Sequence, residues 1–247
     1  MARVLITGSA DGLGRAAAET LLRDGHDVIV HARSRDRLTA VQPLLDGGAD
    51  GVTGDLGDLE QTRSVADQVN ALGHVDAVIH NAGVSSGTGV LPVNVVAPFV
   101  LTASIALPRR LIYLSSDLHR GGRADLSRID WSGRGRSGSY SDSKLFVTAL
   151  AFAVARRLPD VASNAVNPGW VPTRMGGPGA PDDLRLGHRT QEWLATSDDP
   201  EARSTGGYWF HQQRHRSHPA AQDPRFQDEL VASLEAHTGM ALPGPGA

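Results

Sequence analysis

Val4-Leu5-Ile6-Thr7-Gly8-Ser9-Ala10-Asp11-Gly12-Leu13-Gly14 is the stretch on which the reading of the fold turns. A short apolar run, Val4 to Ile6, meets a turn rich in glycine. Beyond the turn, Ala16, Ala17, Leu21 and Leu22 recur as the apolar positions of a helix. Strand, glycine turn and helix in that order form the context in which glycines serve a nucleotide's phosphates. Gly8 permits the tight turn, Gly12 lets the backbone approach a pyrophosphate, and Gly14 allows close packing of helix on strand. The helix N-terminus then faces the negative charge. The spacing is G-x-x-x-G-x-G rather than the commoner G-x-G-x-x-G, and such a turn alone is weak evidence.

Outward from that turn, strands and helices alternate. His26-Asp27-Val28-Ile29-Val30 reads as the second strand and Gly51-Val52-Thr53 as the third, ending at Gly54-Asp55-Leu56. Asp58 is placed to cap a helix running through Val65 and Val69 to Leu72. Val75 to Ile79 is a fourth strand of the fully buried type, leading into His80-Asn81-Ala82-Gly83. This rhythm predicts a doubly wound parallel sheet with helices on both faces. Just past the second strand, His31-Ala32-Arg33-Ser34-Arg35 carries no acid for a ribose 2′-hydroxyl and offers Arg33 instead. That favours a 2′-phosphate, hence NADP over NAD. Asp11, next to Gly12, weighs against a nearby phosphate.

Only a short glycine-rich segment lies between Gly83 and Asn94, too little for a full helix. A helix is predicted from about Pro92 to Ala106, and a fifth strand from Arg109 to Leu114, ending at Ser115-Ser116. Residues 117 to 139 form a polar excursion at the carboxyl edge of the sheet, with Trp131 as its large apolar anchor. A helix from Tyr140 to Leu158 and a sixth strand from Val161 to Val166 follow. After Asn167-Pro168-Gly169 come a loop and helix spanning about 174 to 205, a seventh strand at Gly206 to Phe210, and a last helix from about Pro224 to Ala236. Pro243 to Ala247 reads as a frayed tail. Residues 1 to 247 are read as one domain with about seven strands and no repeat.

Composition narrows the function. A net charge of −3 and dispersed arginines give no footprint for nucleic acid. With no cysteine there is neither a disulfide framework nor a thiolate nucleophile. No run is long enough to span a membrane and no signal peptide is evident, so the chain is read as cytoplasmic. His211, His215 and His218 have near-helical spacing but no adjacent carboxylate, and are read as a solvated segment rather than a metal site.

One pair carries chemistry. Of 24 Lys+Arg residues, Lys144 is the single lysine, four positions after Tyr140 on the predicted helix. Residues i and i+4 share a helix face, so an ammonium there is expected to favour the phenolate and lower the tyrosine pKa. A solvated helix face is the competing reading.

Thr7-Gly8-x-x-x-Gly12-x-Gly14, Asn81-Ala82-Gly83, Asn94, Ser116, Tyr140-x-x-x-Lys144 and Pro168-Gly169, in that order, resemble the short-chain dehydrogenase/reductases over about residues 2 to 211. Ser115-Ser116-Asp117-Leu118-His119-Arg120, the insert, Asn167 to Val171 and Gly206 to Phe210 look like the branch of retinol dehydrogenases and light-dependent protochlorophyllide reductases. That likeness is architectural and implies no light-driven chemistry. The resemblance implies a Rossmann-type oxidoreductase using NADP(H), with NAD(H) less favoured, on a small to medium carbonyl or alcohol substrate. Tyr140 would act as acid in reduction and base in oxidation. Lys144 would bind the nicotinamide ribose and lower the pKa of Tyr140. Ser116, the later serine of the family's pair, would hold the substrate oxygen; Ser115 is the alternative. Asn94 would organise a water-linked proton path behind Lys144. Further cofactor contacts are implied at Gly8, Ser9, Asp11, Gly12, Leu13, Gly14 and Arg33, at Asp55 and Leu56 around adenine, at Asn81, Ala82 and Gly83, and at Pro168, Gly169, Val171 and Thr173 near the nicotinamide.

The shortened segment after Gly83 departs from the family. It implies a more open pocket on that side and an altered or absent subunit contact, hence a monomer or homodimer. It also leaves room for a non-catalytic NAD(P)-binding sensor or regulatory protein on the same fold.

Overall fold

The structure is a computed structural model that describes residues 1–135 and 137–244; the end of the expected tail, residues 245–247, lies outside them. The strands are β1 (Arg3–Ile6), β2 (Asp27–Ala32), β3 (Asp50–Thr53), β4 (Ala77–His80), β5 (Arg110–Leu114), β6 (Ala162–Val166), β7 (Tyr208–Phe210) and β8 (Gln213–His215). They form one sheet in the order β3-β2-β1-β4-β5-β6-β7-β8, parallel throughout except for the antiparallel β7–β8 pair.

The expected count of seven strands is corrected to eight. β8 closes a hairpin through His211 and Gln212, whose φ values of 49° and 61° are left-handed without glycine. Neither residue is the Asn-Gly or Gly that normally announces such a turn, and β8 is polar and exposed. His211, His215 and His218 accordingly occupy a turn, a strand and the cap of a short helix rather than one helical face.

Strand alternation builds two apolar layers. Leu5, Ile29, Val78 and Leu111 point to one face, while Val4, Ile6, Val28, Val30, Ile79 and Ile112 point to the other. Both faces are covered, which is why the strands read as continuous apolar runs. On the second face lie α1 (Gly12–Arg23) and α7 (Leu184–Thr196), packed on each other. Between β2 and β3 lie α2 (Arg35–Leu38) and α3 (Gln42–Asp46), which the sequence reading left unassigned.

The first face carries α4 (Leu59–Leu72), α5 (Ala97–Ser104) and α6 (Tyr140–Arg157). Asp58 caps α4 as expected, its carboxylate accepting the Gln61 N–H at 2.9 Å. No helix forms between Gly83 and Gly89; a π-helical segment, Pro92–Val96, then leads into α5. From Ser143 to Val154 every residue of α6 is buried. The sheet covers its inner face, and α8 (Pro219–Gln222) and α9 (Pro224–Thr238) pack against it from elsewhere. Phe226 of α9 meets Phe146 with ring centroids 6.0 Å apart.

The insert lies across the gap. Trp131 is buried, sits edge-on to Phe146 at 5.8 Å and donates its indole N–H to Ser233 Oγ at 2.8 Å. A Cβ at Gly133 would come 3.0 Å from the Thr88 carbonyl, and one at Gly138 3.2 Å from Leu91. The chain's own insert therefore packs on the shortened segment, with a pocket left between Pro92, Val96, Trp131 and Ser132. Among the described residues, no helix is long and apolar enough to cross a membrane.

Candidate active site

β1 and β4 are neighbours although the chain visits two other strands between them, so the loops after their carboxyl ends diverge and leave a crevice. Gly8 and Gly12 bend the first loop with φ of 64° and 56°, a region that disfavours residues with a Cβ. Side chains at these positions would collide: a Cβ on Gly8 would lie 2.9 Å from Ala82 Cα, and one on Gly14 2.4 Å from Asn81 Nδ2. Asn81 donates from Nδ2 to the carbonyls of Thr7 (2.8 Å) and Gly8 (3.2 Å), and Thr7 Oγ1 accepts the Ala82 N–H at 3.0 Å. Asn81, Ala82 and the glycine turn thus form one hydrogen-bonded unit.

His31 completes that unit, and its part was missed in the sequence. Its Nδ1 accepts the Gly8 N–H at 3.0 Å, so Nε2 carries the proton and donates to the Gly54 carbonyl at 2.9 Å. Burial pushes its pKa down and keeps it neutral. Ser9 is buried, accepting the His31 N–H at 2.8 Å and donating to Ile6. Asp11 caps α1 through the Gly12 N–H and lies 3.7 Å from Arg174, so its charge is partly answered by the loop opposite. Leu13 touches α7 at Gly187, where a Cβ would come 3.0 Å from its Cδ2.

Arg33 is exposed just beyond β2. Asp55 accepts the Gly57 N–H at 2.9 Å, whereas Leu56 is buried in the apolar layer. Across the crevice, Gly169 takes φ 83° after Pro168, Val171 is buried, and the Thr173 N–H donates to the Val171 carbonyl at 2.8 Å. Thr173 stands over the glycine turn, its Cγ2 3.3 Å from where a Gly12 Cβ would be. A glycine floor whose Cβ positions are forbidden, with a helix N-terminus behind it and an exposed arginine at its far end, fits a dinucleotide phosphate.

The second half of the site hangs on the first turn of α6. Ser139 caps it by accepting the Asp142 N–H at 3.1 Å, and Asp142 accepts the Ser139 N–H at 2.8 Å. This capping box fixes Tyr140 at the first helical position. Lys144, one turn on, is buried with its Nζ 5.4 Å from the Tyr140 ring centroid, donating to the Leu114 carbonyl at 2.8 Å. Gly83 lies beside it: a Cβ there would be 3.6 Å from Nζ and 3.4 Å from Asn94 Oδ1.

Asn94 is buried in the π-helical segment, an irregularity common at functional sites. It accepts the Val84 N–H, donates to the Val84 carbonyl and donates to Ser143 Oγ, each at 2.9 Å. Ser115 and Ser116 separate cleanly. Ser115 is buried and bonded to Thr148 Oγ1 at 2.7 Å, whereas Ser116 Oγ accepts the Leu118 N–H at 3.2 Å and is near enough to Tyr140 to favour its phenolate. Met175, unforeseen in the sequence, brings its Sδ within 4.0 Å of that hydroxyl.

The electrostatics differ from expectation. Burial raises the pKa of Tyr140, opposed by the nearby Ser116 hydroxyl, and burial pushes Lys144 down to about 8. The spacing of two residues on a helix does not show how far the fold buries each of them. At neutral pH Tyr140 holds its proton.

The family model for short chain dehydrogenases matches residues 2–106. Short-chain dehydrogenase chry4 of Gibberella zeae is 38% identical over 99% of this chain and 100% of its own length. Mouse retinol dehydrogenase 14 is 32% identical over 70% of this chain and 62% of its own. Among solved structures, an uncharacterized protein from Mycobacterium paratuberculosis superposes with a TM-score of 0.81 at 26% identity, covering 98% of this chain and 95% of that one. A blue fluorescent protein from a metagenomic library, solved with NADPH, gives 0.69 at 24% identity over 85% and 95%. Likeness at this level along the whole length settles the ancestry of the crevice and its loops: the chain belongs to the short-chain dehydrogenase/reductase family of oxidoreductases.

Proposed function

We propose that this chain is a cytoplasmic NADP(H)-dependent carbonyl reductase or alcohol dehydrogenase acting on a small to medium apolar or aromatic molecule, with Tyr140 as acid and base. One observation carries the reading: the ammonium of Lys144 stands 5.4 Å from the Tyr140 ring, and Ser116, at the carboxyl edge of β5, is near enough to favour the phenolate. The nicotinamide, when bound, supplies or accepts the hydride. Everything else falls to the chain's own residues.

Arg33, exposed past β2, is the residue suited to a 2′-phosphate. Gly8, Gly12 and Gly14 offer backbone to the pyrophosphate, and Thr173 covers it from the opposite loop. Lys144 spends one N–H on the Leu114 carbonyl and has two more for ribose hydroxyls. Ser116 Oγ accepts the Leu118 N–H at 3.2 Å, which leaves the hydroxyl proton to donate to a substrate oxygen. As charge grows on that oxygen, Tyr140 delivers its proton, a step worth about 10² to 10⁴ in rate. Tyr140 is protonated at neutral pH, so the resting site is set for reduction. In the opposite direction Lys144 must support the phenolate.

Leu118, Trp170 and Met175 are exposed apolar side chains on the loops after β5 and β6, which favours an apolar substrate. One relative is named for retinol, an apolar alcohol. The test is Tyr140→Phe, followed by NADPH absorbance with a panel of ketones, aldehydes and quinones. Turnover is expected to vanish while NADPH still binds, as read by fluorescence. Full activity in that variant would refute the mechanism.

A further inference from the structure

Ser116 is held in place by a residue outside the catalytic set. His119 lies in the 3₁₀ turn Asp117–Gly121 that follows β5, and it is fully buried. Its Nδ1 is 2.7 Å from the Ser116 carbonyl oxygen, and its backbone N–H donates to the same oxygen at 3.0 Å. On the far side of the ring, Nε2 receives the backbone N–H of His218 at 3.0 Å. A carbonyl only accepts and an amide N–H only donates, so the two contacts determine the tautomer. His119 is neutral, with its proton on Nδ1.

Other contacts lock the ring. It packs against Tyr208 with centroids 4.5 Å apart. Arg120 donates to the Arg216 carbonyl at 2.7 Å, a second tie between the same turn and the same C-terminal segment. Ser116 itself is the extended residue that caps the turn, with φ −166° and ψ 155°. A rotation about these torsions moves the Ser116 hydroxyl, which favours the Tyr140 phenolate.

We propose that His119 is the positioning residue for Ser116: its Nδ1–H bond sets where the serine hydroxyl stands relative to Tyr140, and its Nε2 contact clamps that turn to the chain at His218. The proposal rests on reading Ser116 as the group that holds the substrate oxygen. It assigns separate tasks to the two nitrogens, and two amides separate them. His119→Asn sets an N–H near the place of Nδ1 and leaves the His218 amide unanswered. His119→Gln offers an acceptor near Nε2 and leaves the Ser116 carbonyl without its ring donor.

The first readout is steady-state kinetics on the best substrate of the carbonyl panel. H119Q is expected to lower kcat by about 10- to 100-fold with the KM for NADPH unchanged, the scale of a small misplacement of a reacting group. H119N is expected to keep kcat near the wild-type value. The second readout needs no turnover. The chain has 3 tyrosines; burial raises the pKa of each, and of Tyr113 and Tyr208 much the furthest. The first tyrosinate seen in ultraviolet absorbance on raising pH is therefore Tyr140. Withdrawal of the Ser116 hydroxyl, which favours the phenolate, moves that midpoint upward in H119Q and leaves it in place in H119N.

Equal behaviour of the two amides in either readout, or H119Q indistinguishable from wild type, overturns the proposal. A kcat loss that merely tracks the melting temperature of both variants also overturns it. If the wild-type protein reduces nothing in the panel, the functional reading fails and the tyrosinate titration alone decides the role of His119.

Discussion

Replacing Lys144 with methionine is expected to stabilise the fold at neutral pH while destroying turnover. Lys144 is 4% exposed, and burial pushes its pKa from 10.5 to about 8. At pH 7 both the folded and the unfolded chain carry the proton, and a depression of that size opposes folding by about 3 kcal/mol. Methionine keeps the unbranched stem and loses the bond to the Leu114 carbonyl, worth about 1 kcal/mol. The variant should thus be more stable than wild type by about 2 kcal/mol at pH 7. The sign of the pH dependence follows from proton counts. The unfolded chain keeps its proton up to pH 10.5 and the folded chain releases it near 8, so between these values the unfolded state binds more protons. Wild-type stability therefore gains on the variant as pH rises through that window, and the advantage of methionine is gone above it. Urea unfolding of both proteins at pH 7, 9 and 10.5 measures the difference, with all other titrating groups common to the pair. A variant less stable at pH 7, or a gap that stays flat across the series, would refute the reasoning. The confirmed result would be a buried charge retained for chemistry against stability.

Arg33→Ala should weaken NADPH by about 10-fold or more and leave NADH unchanged, the loss of a charge-assisted contact to a 2′-phosphate; fluorescence titrations showing equal losses for both nucleotides would remove Arg33 from the cofactor. Gly14→Ala would put a Cβ 2.4 Å from Asn81 Nδ2 and 2.7 Å from the Gly8 carbonyl. An overpacked contact of this kind costs about 1–3 kcal/mol, and NADPH affinity should fall with it because the whole glycine turn must shift. Sedimentation should give a single species near 26.1 kDa, since α8 and α9 of the same chain already cover the outer face of α6; a tetramer would show that another surface assembles the protein.

Much of the fold was legible because its signals are local. β1, its glycine turn and α1 follow one another within a few residues, and the apolar run of β4 announces a strand buried on both sides. Tyr140 and Lys144 were legible because a helix places i and i+4 together, and Ser139 with Asp142 closes a capping box that the same pattern would have disclosed. What escaped reading depends on distant partners. His31 takes its proton arrangement from Gly8 and Gly54, each 23 positions away, and His119 from His218, 99 positions away. The pKa of Tyr140 escaped for a related reason: its sign is decided by how much water the folded chain removes, which no spacing encodes.

The two halves of the site thereby differ in how they are built. The cofactor side, from β1 to the Asn81-Ala82-Gly83 loop, is held by glycines and by amide bonds within the stretch that the family model covers. The substrate side draws on parts beyond it. The segment after Gly83 lacks a helix, and the volume beside Leu91 and Pro92 is taken by the insert through Gly133 and Gly138. Trp131 pins that insert to α6 and α9 at once, through Phe146 and Ser233. The turn carrying Ser116 is tied to the C-terminal segment through His119 and Arg120. The insert and the serine turn are both anchored to the last forty residues of the chain. Changes in that C-terminal segment should therefore reach the substrate side through Ser116 and Trp131 while sparing nucleotide binding at the glycine turn, a division that follows from which contacts cross the sheet edge and which do not.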